Sequence, residues 1–251
     1  MVALFSILHD YWKLLLIGSY PQGPVGGLAM TLLLSTLSLI LTFPFSILLA
    51  LARTSGSLSL RRFSTAWVAV IRGVPLVMLI FWVYFLVPLL IGRNISGFAT
   101  MLCTLIIYES AYISEIIRSG IQALPQGQHE AGKALGLNYV QRHLRVILPQ
   151  ALFNTLPSML NQFVSIIKET SLGYVINLQE FTFAASQING QVLIFPFQIF
   201  LILAVGYFLV CYALTRLAHW LERRIQRQRL GRGHEGRPVP LTASPVDLPQ
   251  A

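Results

Sequence analysis

Residues 125–149 read PQGQHEAGKALGLNYVQRHLRVILP, the most polar interior run of an otherwise apolar chain. Glu130, Ala131, Lys133, Ala134 and Leu135 favour a short helix. Gly136 and Asn138 interrupt it, a second short helix is expected over residues 139–147, and Pro149 opens the next element. Ala131, Ala134, Leu135 and Leu137 fall near helical spacing, so one face can dock while the other stays wet. A basic amphipathic segment between two hydrophobic spans is excluded from hydrocarbon by its charges. It reads as a cytoplasmic platform that receives a partner; the plain alternative is an interfacial helix with none.

The same stretch carries a false lead. Gly127 to Lys133 fits the opening of a phosphate-binding loop, GxxxxGK, but Ala134 stands where Ser or Thr would hold magnesium. Such a loop also follows a buried strand, whereas residues 116–124 end an apolar helix.

Outward from this segment the chain is membrane-like. Of its 251 residues, 55% are hydrophobic and 11% charged, and mean hydropathy is +0.68. That composition excludes a soluble domain with one large core and fits a polytopic membrane protein. The net charge of +9 reflects orientation, not nucleic-acid binding. Cys103 and Cys211 each fall in an apolar span and act as small hydrophobes. The five histidines (His9, His129, His143, His219 and His234) show no metal-ligand spacing.

In chain order, residues 1–27 form an N-terminal interfacial segment: residues 1–20 are aromatic-bearing (Tyr11, Trp12) without the basic start of a signal peptide, and residues 21–27 are a turn-rich break. Residues 28–52 are the first span, with Thr31, Ser35, Ser38 and Thr42 on one face, read as small residues for helix packing. Residues 53–62 are a basic loop. Residues 66–91 are the second span, broken near its start at Arg72-Gly73-Val74-Pro75. Residues 98–117 are the third, and contain Glu109 without a partner in its own helix, and Glu115, three residues from Arg118 and able to pair with it.

The fourth span, residues 149–167, carries the clearest pattern. Asn154, Ser158, Asn161, Ser165 and Lys168 follow at intervals of four and three, so one polar stripe runs along a membrane helix. Gln162 and Glu169 sit beside it. This is more polarity than helix–helix hydrogen bonding needs, and it points to a water-filled path. Residues 170–193 are too polar to cross. Residues 194–217 are the fifth span, residues 219–230 continue as a basic helix, and residues 231–251 are Pro/Gly-rich and expected to be disordered.

Orientation follows from Lys and Arg. Residues 53–72 hold four, 118–145 four and 216–237 seven, which is 15 of the 18. By the positive-inside rule the N-terminus is outside, the C-terminus inside and the platform cytoplasmic.

Glu130-Ala131-Gly132, then Gly136, then Val146-Ile147-Leu148-Pro149 resembles the EAA loop of the permease subunits of ABC importers. Gly132 stands for the third-place Ala and Val146 for Ile; the glycine is expected to loosen the helix by under roughly 1 kcal/mol. The resemblance runs over residues 28–221. Arg72-Gly73-Val74-Pro75-Leu76, the segment from Ala111 to Arg118, Leu148-Pro149-Gln150-Ala151 and Lys168-Glu169-Thr170-Ser171-Leu172 are similar to the polar amino-acid branch. Within it the wording, with Glu109 before Ala111-Tyr112, is most similar to glutamate/aspartate permeases.

The resemblance implies an all-α membrane protein of the type I ABC importer permease fold. It implies a five-span permease domain (28–221) and a basic cytoplasmic tail (222–251). In a bacterial inner membrane it would pair with a second permease, identical or homologous. Two ABC ATPase subunits would lie below and a periplasmic amino-acid-binding protein above. Glu130, Ala131, Gly132, Gly136, Leu148 and Pro149 would then couple to the ATPase, which binds ATP and magnesium; this chain carries no cofactor and is not an enzyme. Membrane lipid surrounds it. Permeases for basic or other polar amino acids, and a channel, are the rival readings; a channel leaves the EAA spacing unexplained.

For a zwitterionic substrate a dry path must offer a cation and an acceptor. Lys168 is expected to bind a carboxylate, while Glu109 or Glu169 takes the ammonium or holds Lys168. Asn161, Ser165 and Thr170 line the cavity. The plainer alternative leaves Lys168 and Glu169 as anchors at the outer interface.

Overall fold

The computed structural model describes the backbone of residues 2–234 and the side chains of residues 5–225. The described chain is a bundle of ten α-helices: α1 (Val2–Ile17), α2 (Gly27–Thr54), α3 (Leu58–Gly73), α4 (Leu76–Ile91), α5 (Gly97–Gln122), α6 (Gln126–Ala134), α7 (Tyr139–Arg142), α8 (Leu148–Glu169), α9 (Phe181–Val192) and α10 (Pro196–His234). A π-helical turn, His143–Ile147, joins α7 to α8, and a 3-10 turn, Thr170–Ile176, follows α8.

Helix α5 is the axis of the bundle. It packs most extensively on α2, then on α8, α3 and α4, while α10 lies against α8. The face that α2 buries is small and polar: Thr31, Ser35, Ser38, Thr42 and Ser46 are wholly buried. Small residues let two backbones approach where lipid offers no hydrophobic drive for association. Two of the hydroxyls turn back to their own helix, Ser35 to the Leu32 carbonyl at 3.1 Å and Ser46 to the Thr42 carbonyl at 2.9 Å. At the other contact Gly120 of α5 meets α8. A methyl group placed there would stand 2.4 Å from Thr155 Cγ2 and 3.2 Å from the Ala151 carbonyl oxygen.

Three helices, α2, α5 and residues Pro196–Ile225 of α10, are long and apolar enough to cross a membrane. Helices α3 and α4 qualify only together, bent by 100°. The second expected span, 66–91, is therefore two helices. Pro75 forces Val74 into extended backbone (φ −101°, ψ 134°) and ends α3 one residue earlier. The basic loop expected over residues 53–62 shrinks to residues 55–57, because Arg61 and Arg62 belong to α3. Helix α8 has 22 residues, but its polar stripe keeps it below the apolarity of the other three.

Two more expectations are refined. Pro149 stands in the first turn of α8, as expected, but α8 follows α7 and the π turn with no loop between them. A proline ring inside a helix clashes with the carbonyl four residues back, and the wider turn just before Pro149 supplies the room. Residues 231–234 continue α10; the rest of the expected disordered tail lies outside the described residues.

The N-terminal helix α1 packs on α2, α9 and α10, burying Ile7 and Leu15. The segment after α8 folds back onto the bundle. Glu180 caps α9 by accepting from Thr182 N (2.7 Å) and Phe183 N (2.9 Å), and it accepts the Tyr207 hydroxyl of α10 at 3.1 Å. The wholly buried carboxylate is satisfied by these three donors.

The Gly120 contact yields a test. Gly120→Ala should lower stability by about 1–3 kcal/mol through overpacking, read as the thermal midpoint of the purified chain in detergent. Thr155→Ser removes the opposing methyl and should return much of that loss in the double variant. Additive effects of the two substitutions would show that the contact is not close.

Candidate functional site

The polar stretch 125–149 folds as the sequence implies and is tied down by side chains that its composition did not advertise. Helix α6 ends in a Schellman motif: Leu137 N donates to Gly132 O (3.1 Å) and Gly136 N to Lys133 O (2.9 Å), with Gly136 left-handed at φ +72°. Asn138 and Gln141 form a capping box at the start of α7, with Gln141 N to Asn138 Oδ1 at 2.9 Å and Asn138 N to Gln141 Oε1 at 3.2 Å. Tyr139 then reaches across to the end of α2. Its hydroxyl donates to the Leu51 carbonyl at 3.0 Å and lies 3.2 Å from Thr54 Oγ1. His143 Nδ1 lies 2.9 Å from the Tyr139 carbonyl oxygen, and its ring lies tilted against that of Tyr139, 3.9 Å between centroids.

Of the six expected coupling residues, Glu130, Ala131, Gly136 and Pro149 are exposed, whereas Gly132 and Leu148 are buried. Gly132 is buried because Arg142 lies across it: a methyl at Gly132 would stand 2.8 Å from Arg142 Cγ and 2.9 Å from Cδ. The glycine that departs from the resembled pattern is thus a cut-out for an arginine. His129 is held below its ordinary value by burial, then by the charges of Arg142 and Lys133. His143 is also lowered, chiefly by burial.

The stripe of α8 faces outward. Ser158, Asn161 and Lys168 are exposed, and Asn154 and Ser165 are half-buried. One position further along, Thr155, Met159 and Ile166 are buried against the bundle. Successive residues on a helix point about 100° apart. Gln162 and Glu169 therefore turn toward α5 and away from the stripe. Thr170, expected to line the cavity, is wholly buried, and its hydroxyl donates to the Ile167 carbonyl at 2.7 Å.

Glu109 of α5 is wholly buried and accepts from Gln162 Nε2 at 2.9 Å. The Glu169 carboxyl sits beside it. Glu109 Oε1 and Glu169 Oε2 are buried without hydrogen-bond partners. Of the two roles left open for Glu109 and Glu169, holding Lys168 is not seen: no ion pair joins Lys168 to either carboxyl among the described residues. Gln162, not a counter-charge, meets Glu109. Nearby, Tyr108 and Tyr112 hydroxyls lie 3.1 Å apart, and the Arg72 guanidinium lies 5.1 Å over the Tyr112 ring.

The expected Glu115–Arg118 pair is present, with Arg118 Nε to Glu115 Oε2 at 3.0 Å. Arg53 at the end of α2 binds the same carboxylate. Arg53, Tyr139 and Arg142 were not singled out by sequence. Only the Asn138-x-x-Gln141 spacing gave a local signal for how α7 is set.

Known proteins share this architecture. The family described as the binding-protein-dependent transport system inner membrane component matches residues 42–227. A probable glutamine ABC transporter permease of Bacillus subtilis (strain 168) is 38% identical over 214 residues, 83% of this chain and 98% of that protein. A glutamate/aspartate import permease of Escherichia coli O157:H7 is 33% identical over 208 residues, 79% of this chain and 91% of that protein. Relatives in Bacillus subtilis named for L-cystine and arginine transport are 35% and 32% identical. In a solved amino acid ABC transporter described with histidines, one chain superposes with a TM-score of 0.71 at 34% identity, covering 79% of this chain and 92% of that one. With its α6–α8 loop and α8 stripe in place, the chain belongs to the binding-protein-dependent transport system inner membrane components, as an amino-acid ABC importer permease.

Proposed function

We propose that this chain is one of two permease subunits in a bacterial inner-membrane importer for an acidic amino acid, glutamate or aspartate. Two ATPase subunits, which bind ATP and magnesium, lie on the side of α6, and a binding protein lies on the other. In this reading the chain crosses five times, with α3 and α4 as one broken span and α8 as the path-lining one. The N-terminus is outside and the C-terminus inside. The observation that carries the reading is the open polar face of α8, with Ser158, Asn161 and Lys168 exposed while its neighbouring face is packed. A second permease would cover that face and close the path.

Within the path, Lys168 binds a substrate carboxylate, and Asn161 and Ser165 line the way to it. The adjacent carboxyls of Glu169 and Glu109, the latter held by Gln162, lie behind the stripe and take the ammonium from that side. Thr170 supports the end of α8 instead of touching substrate.

Coupling runs through Glu130, Ala131 and Gly136 on the exposed face of α6. Gly132, Leu148 and Pro149 connect that face to α8. A push on α6 passes to α2 through the Tyr139 hydroxyl and to α8 through the π turn, so rigid elements suffice.

Three tests follow. In the assembled importer Lys168→Met should abolish uptake of labelled glutamate while ATP hydrolysis and binding-protein docking persist. Unchanged uptake would reduce Lys168 to an anchor, and competition by arginine or cystine in place of aspartate would reassign the substrate.

Gly136→Leu meets no neighbour but must hold a left-handed backbone, at a cost of about 1–2 kcal/mol. It should leave the permease inserted and uncouple hydrolysis from uptake. Tyr139→Phe, which removes a hydrogen bond worth about 1 kcal/mol, should do the same more mildly. Full transport with normal ATPase stimulation in both variants would sink the coupling role.

Cysteines placed at Arg61 and Gln141 should label only from the cytoplasmic side, and those at Asn94 and Gln187 only from outside. A Gln187 cysteine labelled from the cytoplasm would overturn the five-span arrangement.

A further inference from the structure

A polar pocket of about 590 Å³ lies between the bundle and the α6–α7 loop, on the side of the loop that faces α2 and α3. Arg53, Arg61, Arg142, His129 and His143 are in its wall, with Gln126 from the start of α6. It is distinct from the exposed face of α6 and from the α8 stripe.

The charges in this wall are not balanced. Arg53 is matched by Glu115, which it shares with Arg118. Among the described residues neither Arg61 nor Arg142 has a carboxylate partner, and no Asp or Glu lines the pocket. Two donors are left over: Arg53 Nε and Arg142 Nε are both buried without a hydrogen-bond acceptor. A buried donor without an acceptor is costly, and more so when charged. His129 is lowered first by burial and then by the charges of Arg142 and Lys133, so it adds no positive charge of its own to balance.

Shape supports the electrostatics. Gly132 gives Arg142 a flat passage across α6, and it is this passage that lets an arginine rooted in α7 lie under the loop. An alanine there would displace the side chain.

We propose that this pocket binds a phosphate-type oxyanion. Guanidinium groups match such oxygens with several N–H donors in a fixed fork. The two sources of that chemistry are the headgroup of an anionic phospholipid and a free phosphate from the cytoplasm; basic pockets at the inner ends of membrane helices suit the former. Because Arg53 comes from α2, Arg61 from α3, Arg142 from α7 and His129 from α6, a bound anion pins the loop to the bundle. It thereby sets the resting position of the element that meets the ATPase. The inference does not depend on which amino acid is carried.

The full-length permease, without its ATPase partner, is placed in phosphatidylcholine nanodiscs, with or without phosphatidylglycerol. Its thermal midpoint is followed as sodium phosphate replaces sodium chloride at constant ionic strength. The expected result is a rise in midpoint with inorganic phosphate or with phosphatidylglycerol. A rise in pure phosphatidylcholine with phosphate identifies a free oxyanion, and a rise with phosphatidylglycerol alone identifies a headgroup.

Arg61→Gln changes an exposed side chain that the fold does not need. It should weaken the response by roughly tenfold to a hundredfold in apparent affinity, as for one lost charge-assisted contact. Arg142→Gln should do likewise, and Arg62→Gln, outside the pocket wall, should not. No rise with either anion overturns the proposal, as does an Arg61→Gln variant that responds like the parent.

Discussion

The approach of α2 to α5 is made across a row of small side chains, Thr31, Ser35, Ser38, Thr42 and Ser46, all wholly buried, with Leu34 beside them as the one larger wholly buried side chain of α2. In water such a face would contribute little, since it holds few methyl groups to remove from solvent. In lipid the comparison is different, because acyl chains already solvate leucine as well as another helix does. What is left is close packing, and small residues permit more of it. Gly120 serves the same end on the other flank of α5, where α8 comes within contact of its backbone. With α2 and α8 thus fixed to one axis, large apolar side chains such as Phe85, Leu89 and Phe208 are free to face outward, where they are exposed.

That packing is also what makes a mechanical reading of the loop possible. The α6–α7 platform is not suspended on flexible chain. It is held to α2 by Tyr139 and continues without a break into α8. Arg142 lies under it, and the pair of Gln150 with Gln128 (3.2 Å) joins the start of α8 to α6. Force applied at the exposed face of α6 therefore arrives at elements whose mutual positions are set by contact, with few soft joints to absorb it.

Much of this was legible in the chain because the signals are local. The interval of four and three along α8, the small residues of α2 and the glycine that closes α6 are each written in one stretch. What escaped was the consequence of helical phase and of distance in sequence. Lys168 and Glu169 are neighbours in the chain, yet one faces outward and the other turns to α5, a division that their adjacency in sequence does not show. Glu109 was rightly marked as needing a partner, but Gln162 sits one place off the stripe and was read as its bystander. Tyr139 touches Leu51 from 88 positions away, and no pattern within residues 125–149 contains that fact. Gly132 looked like a weak spot in a helix because its companion, Arg142, lies beyond the turn.

The π turn before Pro149 sets a phase as well as easing a proline into a helix. It makes the azimuth of α8 a fixed function of the azimuth of α7, with a five-residue turn as the gear between them. Each residue gained or lost there would rotate everything downstream by about 100° about the rod axis. A change of one sign would swing the hydrophilic seam of α8 toward α5, and a change of the other sign would bring Met159 and Ile166 round to where the seam had been. The length of this joint is therefore under tighter geometric constraint than the identity of most residues within it, and the chain can vary in letters there far more easily than in count.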